Sequence, residues 1–150
     1  LSGQDLLQKI AANRSRKGKK GVMKVDESQV GEFTDVEFKK LEKSLERWVS
    51  DKSYREYDKS RDDIVRELGT TKEMLHLYFA TVKGKDFKTW RTELRIEEAK
   101  KLLLEKRDVS VNIIGEVSGF SDRSNFHRQF VKIVGCSPKQ WRETNGRCSE

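Results

Sequence analysis

A chain of 150 residues can build one core of ordinary domain size, but only 34% of it is hydrophobic and 38% is charged. That balance suits small helical units with much surface, or a small core beside a solvated segment. The net charge of +7 divides into about +3 over residues 1–32, −1 over 33–58, +3 over 59–109 and +2 over 110–150. The excess is therefore not a tail property, and a nucleic-acid partner becomes a candidate beside the alternative of a merely solvated basic surface. No run approaches the roughly 18 apolar residues of a membrane span, and no secretory leader pattern is present. Cys136 and Cys148 lack metal spacing, and His76 and His127 lie far apart with no ligand pattern around them. The expectation is a reduced, cytoplasmic domain with no disulfide framework, no metal and no cofactor.

Residues 1–32 hold a short apolar run (Leu6, Leu7, Ile10) and then a basic, glycine-punctuated stretch, Asn13 to Gly21, with neither helical nor strand period. They read as a flexible basic linker, the alternatives being a phosphate-touching arm or a juxtamembrane basic segment. Because the sequence opens on Leu1 rather than Met, it reads as a piece of something longer. An amphipathic helix is expected over 33–50. Thr34 is placed to cap it, Glu37 to complete a capping box, and Phe33 to staple onto Phe38. Phe38, Leu41, Leu45, Trp48 and Val49 then form one apolar stripe at helical spacing. That stripe leaves two uses open, pairing with a second copy in the full-length protein or covering the next unit.

From Ser60 the chain reads as successive short helices. Ser60 caps a helix with Ile64, Val65 and Leu68 inward, stopped by Gly69. Thr71 caps a second with Leu75, Tyr78, Phe79 and Val82 inward, stopped by Gly84. Two helices joined by a glycine-containing turn of about three residues make a helix-turn-helix, here over about 60–84. The motif is then repeated. Ile64, Val65 and Gly69 recur as Ile114, Gly115 and Gly119, and Leu75, Phe79, Val82 and Gly84 as Phe126, Phe130, Ile133 and Gly135. Trp90-Arg91 match Trp141-Arg142 at the exit, so the domain is a tandem duplication with its second helix-turn-helix over about 110–135. Between the copies, 87–104 reads as an amphipathic helix capped by Asp86, with Phe87, Trp90, Leu94, Ala99, Leu102 and Leu103 apolar. It would be on the order of 27 Å long, close to the roughly 34 Å between successive major-groove faces on one side of B-DNA. Ser137 and Pro138 open a closing helix.

Three ordered stretches resemble one known family. Leu94-Arg-Ile-Glu-Glu-Ala-Lys-Lys-Leu-Leu103 looks like the connecting-helix signature of AraC/XylS-type bacterial transcription regulators, Gly119 to Phe130 like their second helix-turn-helix, and Gly135 to Arg142 like their closing signature. The resemblance covers about residues 60–144. It implies an all-α fold of two homeodomain-like helix-turn-helix subdomains joined by a long connecting helix, here with an additional N-terminal amphipathic helix, so that 33–150 form one DNA-binding domain. It also implies double-stranded DNA and RNA polymerase as partners. A fused upstream sensing or membrane domain would lie outside this sequence, anchoring the whole protein in the latter case.

Helix geometry then assigns faces. In the second unit Phe126, Phe130 and Ile133 point inward, leaving Arg123, Ser124, His127, Arg128 and Lys132 outward. Similarity to the family makes Ser124, His127 and Arg128 the base-facing positions. Arg128 has the fork for guanine O6 and N7, while Arg123 and Lys132 suit phosphates. The matching positions of the first unit are Glu73, His76 and Leu77, with Lys72 as a phosphate candidate. Glu73 repels phosphate but can accept from cytosine N4, and Leu77 can meet a thymine methyl or pack inward against the 33–50 helix. The first copy is thus the weaker or differently specific reader, with 72–82 and 122–134 expected in successive major-groove segments. The repeat-matched aromatics read as core rather than base-stacking platforms. No nucleophile–base pair, phosphate-cradling loop or metal cluster is present, so no enzyme is expected. A protein-docking module with reduced DNA binding remains the competing class, motivated by Glu73, Leu77 and the 33–50 helix.

Overall fold

The computed structural model describes residues 27–148, with side chains from Phe33 onward. Most of the expected linker lies outside the described residues. Seven α-helices and no strand occur among them: α1 (Glu27–Ser50), α2 (Arg61–Leu68), α3 (Lys72–Tyr78), α4 (Phe87–Glu105), α5 (Val111–Ser118), α6 (Arg123–Val134) and α7 (Pro138–Glu143). The all-α expectation therefore holds. A short 3₁₀ turn, Ser53–Arg55, follows α1, and a π-turn, Phe79–Lys83, continues α3. The described chain divides into two units, one of residues up to Arg47 with Ser60–Phe87, the other of Trp48–Lys59 with residues from Lys88 onward.

The first unit packs Leu41 and Leu45 of α1 with Ile64, Leu68, Leu75, Tyr78, Phe79 and Phe87, all nearly solvent-free. Its aromatic rings meet edge-on, Tyr78 with Phe38 at 5.3 Å and with Phe79 at 5.5 Å, and Phe79 with Phe87 at 5.4 Å. Ser60 and Asp63 form a reciprocal capping box at the start of α2, and Thr71 accepts from the Met74 amide at the start of α3. Two expectations fail here. The chain is already helical at Glu27, so residues 27–32 are not linker and Thr34 is no N-cap but a buried residue inside α1. Between Glu27 and Thr34 the strongest helix-disfavouring residue is Gly31, at about 1 kcal/mol, which alone is too little to end a helix. Val82 is 51% exposed rather than inward, because the π-turn inserts a residue into the last turn. The Gly84 amide reaches back five residues to the Phe79 carbonyl at 2.8 Å.

The second unit closes around Ile96, Ala99 and Leu103 of α4, Ile114, and Phe120, Phe126 and Phe130, with Trp141 packed at its edge. Here too the outermost expected core position fails, for Ile133 is 39% exposed in the final turn of α6. Ser137 and Gln140 form the capping box of α7, with Pro138 in its first turn. From α7, Trp141 Nε1 donates to the Lys100 carbonyl at 3.1 Å and Arg142 Nε to the Leu103 carbonyl at 3.0 Å. The Arg142 bond takes up a carbonyl in the last turn of α4, which has no partner in its own ladder, and the Trp141 bond fastens the turn before it. The repeat-matched pair meets the end of α1 and the turn after it through different contacts. Trp90 stacks on Trp48 with centroids 5.9 Å apart, and Arg91 donates to the Glu56 carbonyl. The duplication thus extends upstream: α1 stands to the first copy as α4 stands to the second.

Cys136 and Cys148 are joined by a disulfide, with Cα atoms 5.4 Å apart across 12 residues. This corrects the expectation of two reduced, unpartnered thiols. Their spacing carries no signal in sequence, but α7 and the turn after it (Asn145 and Gly146, both at positive φ) bring the chain back to its starting point.

Candidate nucleic-acid interface

A helix that reads DNA must end its own packing on one face and leave the other face bare, and α6 meets both demands. Phe126 and Phe130 bury one side, to 3% and 0% exposure, while Arg123, Ser124, His127, Arg128 and Lys132 stand exposed on the other. Asp122 fixes the start, its carboxylate accepting from the Ser124 amide at 2.9 Å. Arg128 is held only by a 3.5 Å contact to Asn125 Oδ1, so its guanidinium is available to a base edge. Lys132 lies in the last turn, where a cation also suits the helix dipole. The structure therefore exposes together all five residues named for this copy.

In α3 the same positions carry different chemistry. Lys72, Glu73 and His76 are exposed, but Leu77 is buried to 8%. That removes Leu77 from the base-facing set. A leucine side chain gains about 1.5–3 kcal/mol from full burial, and this unit buries Leu41 and Leu45 of α1 as well. Lys72 Nζ is 2.7 Å from the Asp62 carboxylate, which offsets part of its charge. Arg61 and Lys85 line a shallow cleft together with Lys72 and His76. Arg61 and Lys85 escaped the sequence reading because they flank the helix-turn-helix pair rather than lying on its second helix. The available signal was a cation immediately after the Ser60 cap and another immediately after the Gly84 stop.

Two guanidiniums of the second unit, on Arg91 and Arg95, are half-buried. Burial lowers Arg91 and pushes Arg95 down to about 10, the neighbouring Arg91 charge adding to the latter. Backbone carbonyls of Glu56 and Tyr54 receive both guanidiniums. Among the described residues no group of His, Cys, Asp and Glu gathers as a metal site, and no helix is long and apolar enough to cross a membrane.

A family model described as a helix-turn-helix domain matches residues 64–144. The chain is 34% identical over 67 residues to an uncharacterized HTH-type transcriptional regulator, YobQ, of Bacillus subtilis, covering 45% of this chain and 27% of that protein. It is 33% identical over 86 residues to the HTH-type transcriptional regulator ExsA of Pseudomonas aeruginosa, covering 57% and 31%. It therefore spans less than a third of either relative. Among solved structures, the C-terminal domain of AraT, a response regulator from Geobacillus stearothermophilus, shares the fold with a TM-score of 0.61 at 21% identity, over 74% of this chain and 88% of that one. A Listeria innocua protein of unknown function aligns with a TM-score of 0.54 at 26% identity, over 61% and 85%.

Proposed function

The chain belongs to the AraC-type helix-turn-helix family, and from that premise we propose that it is the sequence-specific, double-stranded-DNA-binding output domain of a bacterial transcription regulator. The observation that carries this is the face of α6: Ser124, His127 and Arg128 lie exposed on one side of a helix whose other side is locked by Phe126 and Phe130. In this reading α6 enters one major-groove segment as the stronger reader, with Arg128 on guanine and Ser124 and His127 on neighbouring base edges. Arg123 and Lys132 hold flanking phosphates. The first copy, through α3, meets the successive groove segment with Glu73 and His76 as its only base-capable side chains, and Lys72, Arg61 and Lys85 serve the backbone. The proposal includes a cytoplasmic place of action, RNA polymerase as the downstream partner, and an upstream sensing or membrane domain. It also allows pairing of full-length chains.

Selection from a random duplex library tests it. One enriched site, with affinity falling steeply in salt, is the expected outcome. Arg128→Ala should then weaken that site by about 1–3 kcal/mol while leaving random duplex nearly unchanged. Equal loss on both would reassign Arg128 to phosphate, and no enriched site would favour the protein-docking alternative.

A further inference from the structure

The second unit contains a segment that sequence order assigns to neither helix-turn-helix. Trp48–Lys59 precedes the first copy, yet it is grouped with Lys88 and the residues after it. Three kinds of contact hold it there. Glu98 of α4, only 7% exposed, receives the Arg55 guanidinium, Lys52 Nζ at 3.4 Å and the Tyr54 hydroxyl at 3.1 Å. Arg95 Nε donates to the Tyr54 carbonyl at 2.5 Å, and Arg91 to that of Glu56. Trp48 stacks on Trp90 and meets the buried Tyr54 edge-on at 6.3 Å. A carboxylate this buried is tolerable only because cations and a hydroxyl surround it, so losing one donor disturbs the rest.

The same segment lies against the turn that launches α6. A Cβ placed on Gly119 would sit 2.9 Å from Arg55 Cα, 3.0 Å from its carbonyl oxygen and 2.6 Å from Arg95 Nε. The backbone of the 3₁₀ turn and the backbone of the helix-turn-helix turn are thus in direct apposition. Arg95 also lies over the Phe120 ring at 5.9 Å, Phe120 contacts Phe126 at 5.1 Å, and Phe126 lies in the first turns of α6. A continuous run of packed groups leads from the end of α1 to the start of the reading helix, without passing through the first helix-turn-helix.

The geometry points to Lys52–Glu56 as a positioning element for α6: Glu98 seats Arg55 against Gly119, and this seat sets the pose in which Ser124, His127 and Arg128 meet bases. The inference rests on the DNA-reading function proposed above. Arg55, Glu98 and Arg95 touch no DNA in this scheme and act through the turn.

The test uses the whole chain, its wild-type selected site and a random duplex of equal length, with amide hydrogen exchange measured on the free protein. Arg55→Ala should lower the selected-to-random affinity ratio about tenfold, mainly by weakening the selected site. Amides of residues 119–125 should exchange at least tenfold faster, while those of α2 and α3 stay unchanged. Arg55→Lys should recover most of both effects. Lys52→Gln, at a half-exposed position that keeps a polar side chain beside Glu98, should show the same signs at smaller size should Arg55→Ala prove unstable. A selected-to-random ratio within twofold of wild type, or exchange rising equally in both units, overturns the positioning role. A wild-type protein that enriches no site refutes the DNA-reading function instead, and the exchange measurement still decides whether Arg55 holds the turn.

Discussion

Replacing Gly115 by alanine puts a single methyl group into the tightest point of the second helix-turn-helix. The new Cβ would lie 2.5, 2.8 and 3.0 Å from three ring atoms of Phe126. Unstrained carbon contacts sit at about 3.5–4.0 Å, so the ring must retreat by roughly 1 Å. It has little room, being 3% exposed with Phe120 at 5.1 Å and Phe130 at 5.8 Å. Alanine in a helix interior gains about 0.5–1 kcal/mol over glycine, whereas overpacking a filled core costs about 1–3 kcal/mol. Overpacking wins, and Gly115→Ala should destabilise the second unit by about 1–2 kcal/mol, lowering its melting temperature by about 4–16 °C. Urea titration followed by circular dichroism reads the change directly. The first copy supplies the control, for it places Val65 and Leu75, both buried, where the second places Gly115 and Phe126. The two copies fill the site by exchanging volume between facing positions. Adding Phe126→Leu to Gly115→Ala should therefore cost less than the two single changes together, by about 1 kcal/mol. Strictly additive changes, or a Gly115→Ala protein as stable as wild type, would refute this account of the packing.

Other expectations follow from single residues. Gly119→Ala and Gly69→Ala both force a side chain into the left-handed region, at φ +116° and +68°. Gly69 has nothing within 4 Å and should lose about 1 kcal/mol, whereas Gly119 also meets the Arg55 backbone and should lose at least about 2 kcal/mol, as denaturation of the two variants would show. The Tyr78 hydroxyl is buried without a hydrogen-bond partner, and burial, reinforced by Glu42 and Glu46, raises its pKa. Tyr78→Phe should consequently stabilise the first unit by about 1 kcal/mol, and a loss of stability in the melting curve would reveal a bond to that oxygen. Opening the Cys136–Cys148 link with a dithiol, or by Cys148→Ser, removes the closure of a short loop worth at most about 3 kcal/mol. The expected result is a lower melting temperature for the oxidised wild type once reduced, and no response to dithiol in the variant.

Much of this was readable in the chain because the relevant rules are local. Ser60, Thr71 and Ser137 cap their helices as their positions suggest. The exposed face of α6 follows from helical spacing around Phe126 and Phe130 alone. What escaped depends on neighbours distant in sequence. Thr34 carries a cap signature but lies inside a longer helix, because the local preference is small beside the packing of α1. Leu77 is buried where its counterpart Arg128 is exposed, a difference that the apolar character of leucine hinted at but the repeat argued against. The π-turn after α3 has no compositional marker. Nothing local marks Glu98 as buried, because Lys52, Tyr54 and Arg55, which surround it, lie more than 40 residues upstream.

The repeat-matched Trp-Arg pairs make α4 a helix used twice. Its first residue, Phe87, meets Phe79 of the first copy, and Ile96, Ala99 and Leu103 fill the core of the second. One residue inserted into α4 after Arg91 would turn its later side chains by about 100° relative to Trp90 and Arg91, so that either the contacts to Trp48 and Glu56 or the core at Ile96, Ala99 and Leu103 must fail. Length variation in descendants of this chain should collect in the loops at 56–60 and 106–110, and the count of residues from Trp90 to Leu103 within α4 should be among its most slowly drifting properties.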